Sequence, residues 1–298
     1  AQGSGSEAAS TAEVDTWDSG VARLLGSLGR TFPALAEFAG QAVDQRWIDH
    51  SVRSNKAGGG YCITSGVSKE SRIFMTFGGT MGCSGTLAHE LGHAHHSMLL
   101  RDLPLWAGEY PSTIAETAST FAEAAAAAGV LADASHGAGL KAALRAHRQT
   151  HGIGYLSNTL IRFDIEREIF RRRAEGDISI DELKDITLNA QRVVYGDTVD
   201  PDSLSPWLWA SVPHFYFSFA TFYNYPYTFG FLLSSWLWSQ AESAGEPFLA
   251  RYMDFLRASG VSTTEQAAAE HLGVDLRERS FWEAALDCVE SALLASDR

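Results

Sequence analysis

Cysteine is scarce in this sequence of 298 residues, and the three cysteines lie far apart at positions 62, 83 and 288. None of them forms the CxxC spacing of a zinc knuckle, and three cysteines do not build a disulfide framework. Cysteines used this sparingly are typical of reduced thiols inside a cell. The sequence therefore predicts a cytoplasmic protein.

Basic residues are also in the minority, with 23 lysines and arginines against 36 aspartates and glutamates, for a net charge of −13. This balance argues against a nucleic-acid or anionic-membrane partner, whose binding would need a basic patch. Long apolar runs are lacking, since "FGFLLSSWLW" at 229–238 is too short to span a bilayer. The first residues lack the basic and apolar segments of a signal peptide. We therefore expect neither a nucleic-acid nor a membrane partner.

Strand signals are few. The runs "GGGYCITSG" and "SRIFMTFGG" are flanked by glycines and predict one antiparallel hairpin. From Thr86 onward the periodicity is helical, and one helix is predicted to begin at Ser112 and end at Gly129. We expect a flexible lead-in at residues 1–12 and a single domain over 13–298. The predicted fold class is mainly α with one small antiparallel β-hairpin.

The stretch "TLAHELGHAHH" places His89 and His93 four residues apart. On a helix they share one face, so both imidazoles can reach one zinc ion (Zn2+). Glu90 lies beside that face, where it can take a proton from water, as in H-E-x-x-H metalloproteases. The pattern predicts a zinc site with a glutamate as general base.

A catalytic zinc site takes a third protein ligand and keeps a fourth position open. The segment "LPLWAGEYP" is long enough for the following helix to fold back along the first one. Glu116, Ser119 and Glu123 then share one face of that helix. We expect Glu116 to bind zinc, with Ser119 and Glu123 behind the ligands and Glu123 holding a ligand histidine through its other ring nitrogen.

Two further histidines follow the motif. His96 is on the face of His89 and His93 but one turn further along, so we expect it to be a hydrogen-bonded core residue rather than a ligand. His95 is predicted to be exposed.

These motifs carry a family resemblance. "HELGHAHHS", "PSTIAETASTFAE" and "PHFYFSFATFYNYPYTFGF" resemble the oligoendopeptidase F branch of the thimet oligopeptidase family of zinc metallopeptidases, over about Asp44 to the C-terminus. The resemblance implies a helical zinc-metallopeptidase catalytic domain. It also implies that His89, His93 and Glu116 bind zinc and that Glu90 is the general base.

The same resemblance implies a segment of one histidine and several tyrosines that closes over the substrate and stabilises the oxyanion. The matching residues are His214, Tyr223, Tyr225 and Tyr227, with His214 and Tyr227 preferred. The segment around Gly58, Gly59 and Gly60 resembles the substrate-binding edge strand of the family, where backbone groups pair with an extended peptide.

The sequence departs from the family in its short region before the hairpin, since members usually carry a further N-terminal half. This departure leaves two expectations, a fragment of a longer enzyme or a compact variant with a more open cleft. The expected partners are oligopeptide substrates, with a missing N-terminal half or a homo-oligomer as the open alternatives. The predicted function is a zinc-dependent endopeptidase acting on short unstructured oligopeptides. The alternatives are a zinc carboxypeptidase and a non-catalytic zinc-bearing peptide-binding module.

Overall fold

Helices make up most of the fold in the computed structural model, and the predicted mainly α class is confirmed. The structure describes residues 15–56, 58–218 and 220–294, so the predicted lead-in at 1–12 lies outside the described residues. Three strands are described, β1 (Ile48–Asp49), β2 (Gly60–Ser65) and β3 (Glu70–Met75). The helices are α1 (Trp17–Thr31), α2 (Pro33–Asp44), α3 (Met81–Leu100), α4 (Ser112–Ala132), α5 (Ala138–Ile153), α6 (Thr159–Arg173), α7 (Ile180–Tyr195), α8 (Leu208–Ser211), α9 (Tyr225–Ala244), α10 (Glu246–Ala258), α11 (Thr264–Ala267) and α12 (Arg279–Leu294).

The predicted hairpin is confirmed, with β2 and β3 antiparallel from the pair Gly60 and Met75 to the pair Ser65 and Glu70. β1 adds a short parallel strand against β3, which was not predicted because two residues carry no periodicity. The strand order is β1-β3-β2. One edge of β2 is therefore unpaired in the described sheet.

A buried lysine fixes the chain that leads into β2. Only 2% of the Lys56 side chain is exposed. Its ammonium group donates to the backbone oxygens of Asp49, Ser51 and Met75 at 2.9, 3.0 and 2.6 Å, and to the Asp49 carboxylate at 3.1 Å. Because an ammonium group has three protons to share among these acceptors, it ties the loop to both neighbouring strands.

We expect Lys56→Met to destabilise the fold by about 2–3 kcal/mol, because buried carbonyl groups and a carboxylate lose a charged donor. Urea unfolding followed by circular dichroism measures the change. Lys69→Met makes the same chemical change on an exposed side chain and should leave the free energy of unfolding nearly unchanged. Equal effects of the two substitutions would contradict the account.

Helix α4 lies at the centre of the fold, where it packs against α1, α3 and α9. Its fully buried side chains include Ile114 and Phe121. The predicted end of this helix at Gly129 is wrong, since α4 continues to Ala132. At Gly129 a Cβ atom would lie 2.3 Å from the Ser27 carbonyl oxygen of α1, so the glycine serves a close helix crossing. None of the described helices is long and apolar enough to cross a membrane.

Candidate metal centre and catalytic site

Helices α3 and α4 run antiparallel and approach each other closely at Gly92. A Cβ atom at this position would lie 2.6 Å from the Ala118 carbonyl oxygen, 2.8 Å from Cα of Ser119 and 2.9 Å from Cβ of Ala122. Only glycine permits this approach. The close crossing brings the histidines on either side of Gly92 up to the carboxylates of α4.

The crossing assembles one compact set of possible metal ligands. Ligand atoms of His89, His93 and Glu116 all lie within 4.8 Å of one another. The Glu116 Oε2 atom is 3.3 Å from Nε2 of His89 and 3.8 Å from Nε2 of His93. Two imidazole nitrogens and one carboxylate oxygen are a donor set that zinc takes in catalytic sites, so the residues present fit the ion.

Burial supports the same assignment. It lowers the pKa of His93 to about 4, which leaves a neutral imidazole with a lone pair for a metal. Burial also lowers the pKa of His89, but Glu116 and Glu123 outweigh it and raise that pKa well above its usual value. Two carboxylates around one imidazole thus create a site that favours a cation.

Gly92→Ala tests how the helix crossing shapes the site. We expect a loss of about 1–3 kcal/mol in the free energy of unfolding, because the added methyl group overpacks the crossing. We also expect weaker zinc binding, measured by competition with a chromophoric chelator. Gly40→Ala in α2 has open space around the new Cβ atom and should stabilise the protein by about 0.5–1 kcal/mol. A Gly92→Ala variant as stable as wild type would be inconsistent with this packing.

The predicted supporting residues contact the candidate ligands. The Glu123 Oε1 atom is 2.7 Å from Nδ1 of His89, which leaves Nε2 to face Glu116. Tyr155 donates to the same carboxylate oxygen at 3.5 Å. Ser119 donates to Glu116 Oε2 at 3.1 Å. Each contact holds a ligand side chain in one orientation.

We expect Glu123→Gln to weaken zinc binding about 10–100-fold, because the partner that orients His89 loses its charge. Titration against a chelator of known affinity measures the change. Glu270→Gln, on an exposed residue, is the matched control. Equal zinc affinities for both variants would show that Glu123 does not support the ligand.

Glu90 lies beside the ligands and faces the start of the edge strand. A Cβ atom on Gly60 would lie 2.9 Å from Glu90 Oε1 and 2.8 Å from Cγ2 of Thr86, so Gly60 leaves room for this carboxylate. Burial raises the pKa of Glu90 to about 7, and its Oε2 atom has no hydrogen-bond partner among the described residues. A carboxyl group with this pKa both accepts and returns a proton near neutral pH.

The three predicted glycines do not share one role in the strand. Gly60 is the first residue of β2, whereas Gly58 and Gly59 precede it in a bend, with Gly59 at a φ of +85°. The strand at the edge of the described sheet therefore spans residues 60–65, and of the three predicted glycines only Gly60 lies in it. Tyr61 and Ile63 on this strand are 51% and 63% exposed.

An aromatic cluster from the predicted oxyanion segment packs together. The His214 ring is 5.0 Å from Tyr223 and 6.0 Å from Tyr227, measured between centroids. Burial raises the pKa of Tyr223 and Tyr227, and the charges of Glu116 and Glu90 raise both further. Both hydroxyls therefore stay protonated and can donate. Tyr225, at the start of α9, is 44% exposed. Of the three tyrosines it is the least suited to be the hydrogen-bond donor to the oxyanion.

The two remaining histidines of the motif differ in outcome. His96 is fully buried and hydrogen-bonded to the Ser259 hydroxyl at 2.8 Å, as a core residue should be. The prediction that His95 is exposed is wrong, since only 2% of it is exposed. It packs edge-on against Phe32 because α1 and α2 cover that face of α3. The helical pattern of α3 alone does not reveal that second covering layer.

Several residues near the site were not found from the sequence. Tyr155 lies in a π-helical turn at Gly154–Asn158, and such turns are common at functional sites. Asn224 contacts the His214 ring, and Arg162 contacts Asn224. Gly230 allows α9 to pack closely against α4 beside Glu116, because a Cβ atom on Gly230 would lie 2.6 Å from the Glu116 carbonyl carbon.

An apolar cavity of about 530 Å³ borders Glu123 and Tyr155.

Comparison with known families identifies the class of protein. The family model described as Peptidase family M3 matches residues 30–288, and the chain therefore belongs to peptidase family M3. The predicted relationship to the oligoendopeptidase F branch is confirmed. The chain is 28% identical over 260 residues to the chromosomal oligoendopeptidase F of Lactococcus lactis subsp. cremoris. It is 26% identical over 275 residues to oligopeptidase PepF of Bacillus subtilis (strain 168).

These matches cover 85% and 90% of this chain but only 41% and 39% of the two relatives. The chain thus spans about two fifths of the length of the curated relatives it matches. The solved structure of PZ peptidase A with an inhibitor superposes with a TM-score of 0.80 at 17% identity. That alignment covers 94% of this chain and 49% of PZ peptidase A, and it shows the shared fold alone.

Proposed function

We propose that this chain carries the catalytic site of a zinc-dependent endopeptidase that hydrolyses short unstructured oligopeptides. The observation that carries the proposal is the close cluster of His89, His93 and Glu116, with Glu90 beside it next to an unpaired strand edge. Membership of peptidase family M3 supports a peptidase, and the names of the curated relatives support an oligopeptide substrate.

His89, His93 and Glu116 would hold the zinc ion. When bound, zinc lowers the pKa of water and polarises a carbonyl group. Glu90 takes a proton from the attacking water and delivers it to the leaving amine. The aromatic cluster contributes a hydrogen-bond donor to the developing oxyanion.

The peptide lies extended along the free edge of β2. Backbone groups of residues 60–65 pair with it as an added strand, and this pairing does not depend on substrate sequence. An extended backbone with unpaired N–H and C=O groups is available in short peptides, whereas folded proteins pair most of these groups internally. We therefore propose oligopeptides as substrates, bound in the cytoplasm by residues 13–298 acting as one catalytic domain.

Hydrolysis of a quenched-fluorescent peptide of about eight to ten residues tests the proposal. We expect cleavage that stops on chelation and returns with added zinc, and mass spectrometry of the products should show internal cuts. Release of only the C-terminal residue would instead identify a carboxypeptidase. Zinc and peptide binding without cleavage would identify a peptide-binding module. This last outcome is included in the test because the chain spans only about two fifths of the length of its curated relatives.

A further inference from the structure

A polar chain from α6 reaches the imidazole of His214. Arg162 donates from its Nε atom to the Asn158 side-chain oxygen at 2.8 Å and from Nη1 to the Asn224 side-chain oxygen at 3.3 Å. The same Asn224 oxygen is 2.8 Å from Nδ1 of His214. Asn224 is 1% exposed, so this contact lies inside the protein.

The guanidinium group decides which way the Asn224 amide points. Arginine has only N–H donors and no acceptor, so the Asn224 atom that faces it must be the carbonyl oxygen. The reversed amide would place its own N–H groups against those of Arg162. In the observed orientation the Asn224 Nδ2 atom has no hydrogen-bond partner among the described residues. Arg162, rather than the amide's own donors, therefore sets the orientation.

The backbone before Asn224 is held by the same helix. Glu166, one turn beyond Arg162 on α6, accepts the backbone N–H of Phe222 at 2.6 Å. Phe222 has a φ of +54°, in the left-handed region that a bulky residue rarely adopts. A conformation of this kind persists only where the surroundings impose it, so α6 fixes both the backbone and the side chain that meet His214.

We propose that Asn224, held by Arg162, is a positioning residue that fixes His214 as the tautomer with its proton on Nδ1. A carbonyl oxygen accepts only a proton-bearing nitrogen, so Nδ1 must carry the hydrogen. In the neutral ring Nε2 then has a lone pair and is an acceptor. In that state Nε2 can accept a backbone N–H of a bound peptide but cannot donate to the oxyanion.

The consequence for catalysis rests on the proposed peptidase function, whereas the tautomer itself does not. Of the two preferred candidates for the oxyanion donor, His214 and Tyr227, a histidine ring with its only proton on Nδ1 is removed from that role. Tyr223 and Tyr227 lie against the same ring, and a hydroxyl donates whatever the tautomer of its neighbour.

Nitrogen-15 NMR of the full chain, labelled at its histidines and loaded with zinc, tests the proposal at pH 8, where an ordinary imidazole is neutral. His214→Gln identifies the signal among the ten histidines. We expect the proton on Nδ1 in wild type. Asn224→Asp keeps an acceptor oxygen and should retain this tautomer, while Asn224→Leu should lose it.

A wild-type His214 with its proton on Nε2, or charged on both nitrogens, would overturn the proposal even if the Asn224→Leu variant failed to fold. An unchanged tautomer in a folded Asn224→Leu variant would also overturn it. The peptide assay is read separately. Absence of cleavage by wild type would remove the proposed function and leave the NMR result standing, so the two failures are distinguishable.

Discussion

Glu90→Gln should lower kcat for peptide cleavage by about 10²–10⁴-fold, because the amide cannot accept the proton of the attacking water. The substitution keeps the size of the side chain. Glu90 is not among the three clustered ligands, so zinc content should match that of wild type. Initial rates on the quenched peptide, with zinc determined on the same samples, measure both quantities.

Glu290→Gln on the exposed face of α12 is the matched control and should cleave at the wild-type rate. A Glu90→Gln variant that retains wild-type kcat would exclude Glu90 as the base. Loss of zinc together with activity would place Glu90 among the ligands instead. Loss of kcat with zinc content retained is the result that a proton-transfer role predicts.

Glu116→Gln should produce the second large effect, which is loss of bound zinc. Removal of a partner that merely orients a ligand costs about 10–100-fold in metal affinity, so neutralising a ligand should cost more than that. Cleavage should fall in proportion to bound zinc and recover in part at high zinc concentration. Competition with a chelator, followed by the peptide assay, measures the two effects.

The fold should survive this substitution. The isosteric amide still accepts the hydroxyl of Ser119, which lies 3.1 Å from the Glu116 carboxylate. Circular dichroism and the thermal midpoint check that α4 remains intact. Wild-type zinc affinity in a folded Glu116→Gln variant would contradict the assignment of Glu116 as the third ligand. Unfolding would call for Glu116→Asp, which keeps the charge but shortens the reach to both histidines.

The grouping of the metal-site residues was predictable because helical spacing is local. His89 and His93 share a face by periodicity alone, and chain length was enough to return Glu116 to that face. The structure brings these three residues together. The hairpin was also predictable, since its glycines and β-rich runs are adjacent in sequence. Their functional roles remain predictions.

Features that depend on a distant partner were not predictable. From the sequence alone, Gly129 indicates a helix end, because its close contact with α1 is not visible there. His95 is likewise predicted to be exposed, because the sequence does not show that α1 and α2 cover it. The contact between Asn224 and Arg162 joins residues 62 positions apart, and Arg162 belongs to none of the recognised motifs. The first residue of β2, which the structure places at Gly60, was not predictable because turn glycines and strand glycines look alike in a sequence.

The central claim is that His89, His93 and Glu116 bind one zinc ion. Anomalous X-ray diffraction from crystals of the zinc-reconstituted chain, collected at the zinc absorption edge, tests it most directly. The account predicts a single strong peak between the Nε2 atoms of the two histidines and the Glu116 carboxylate. Absence of a peak there in a metal-replete chain, or a zinc ion bound elsewhere, would contradict it.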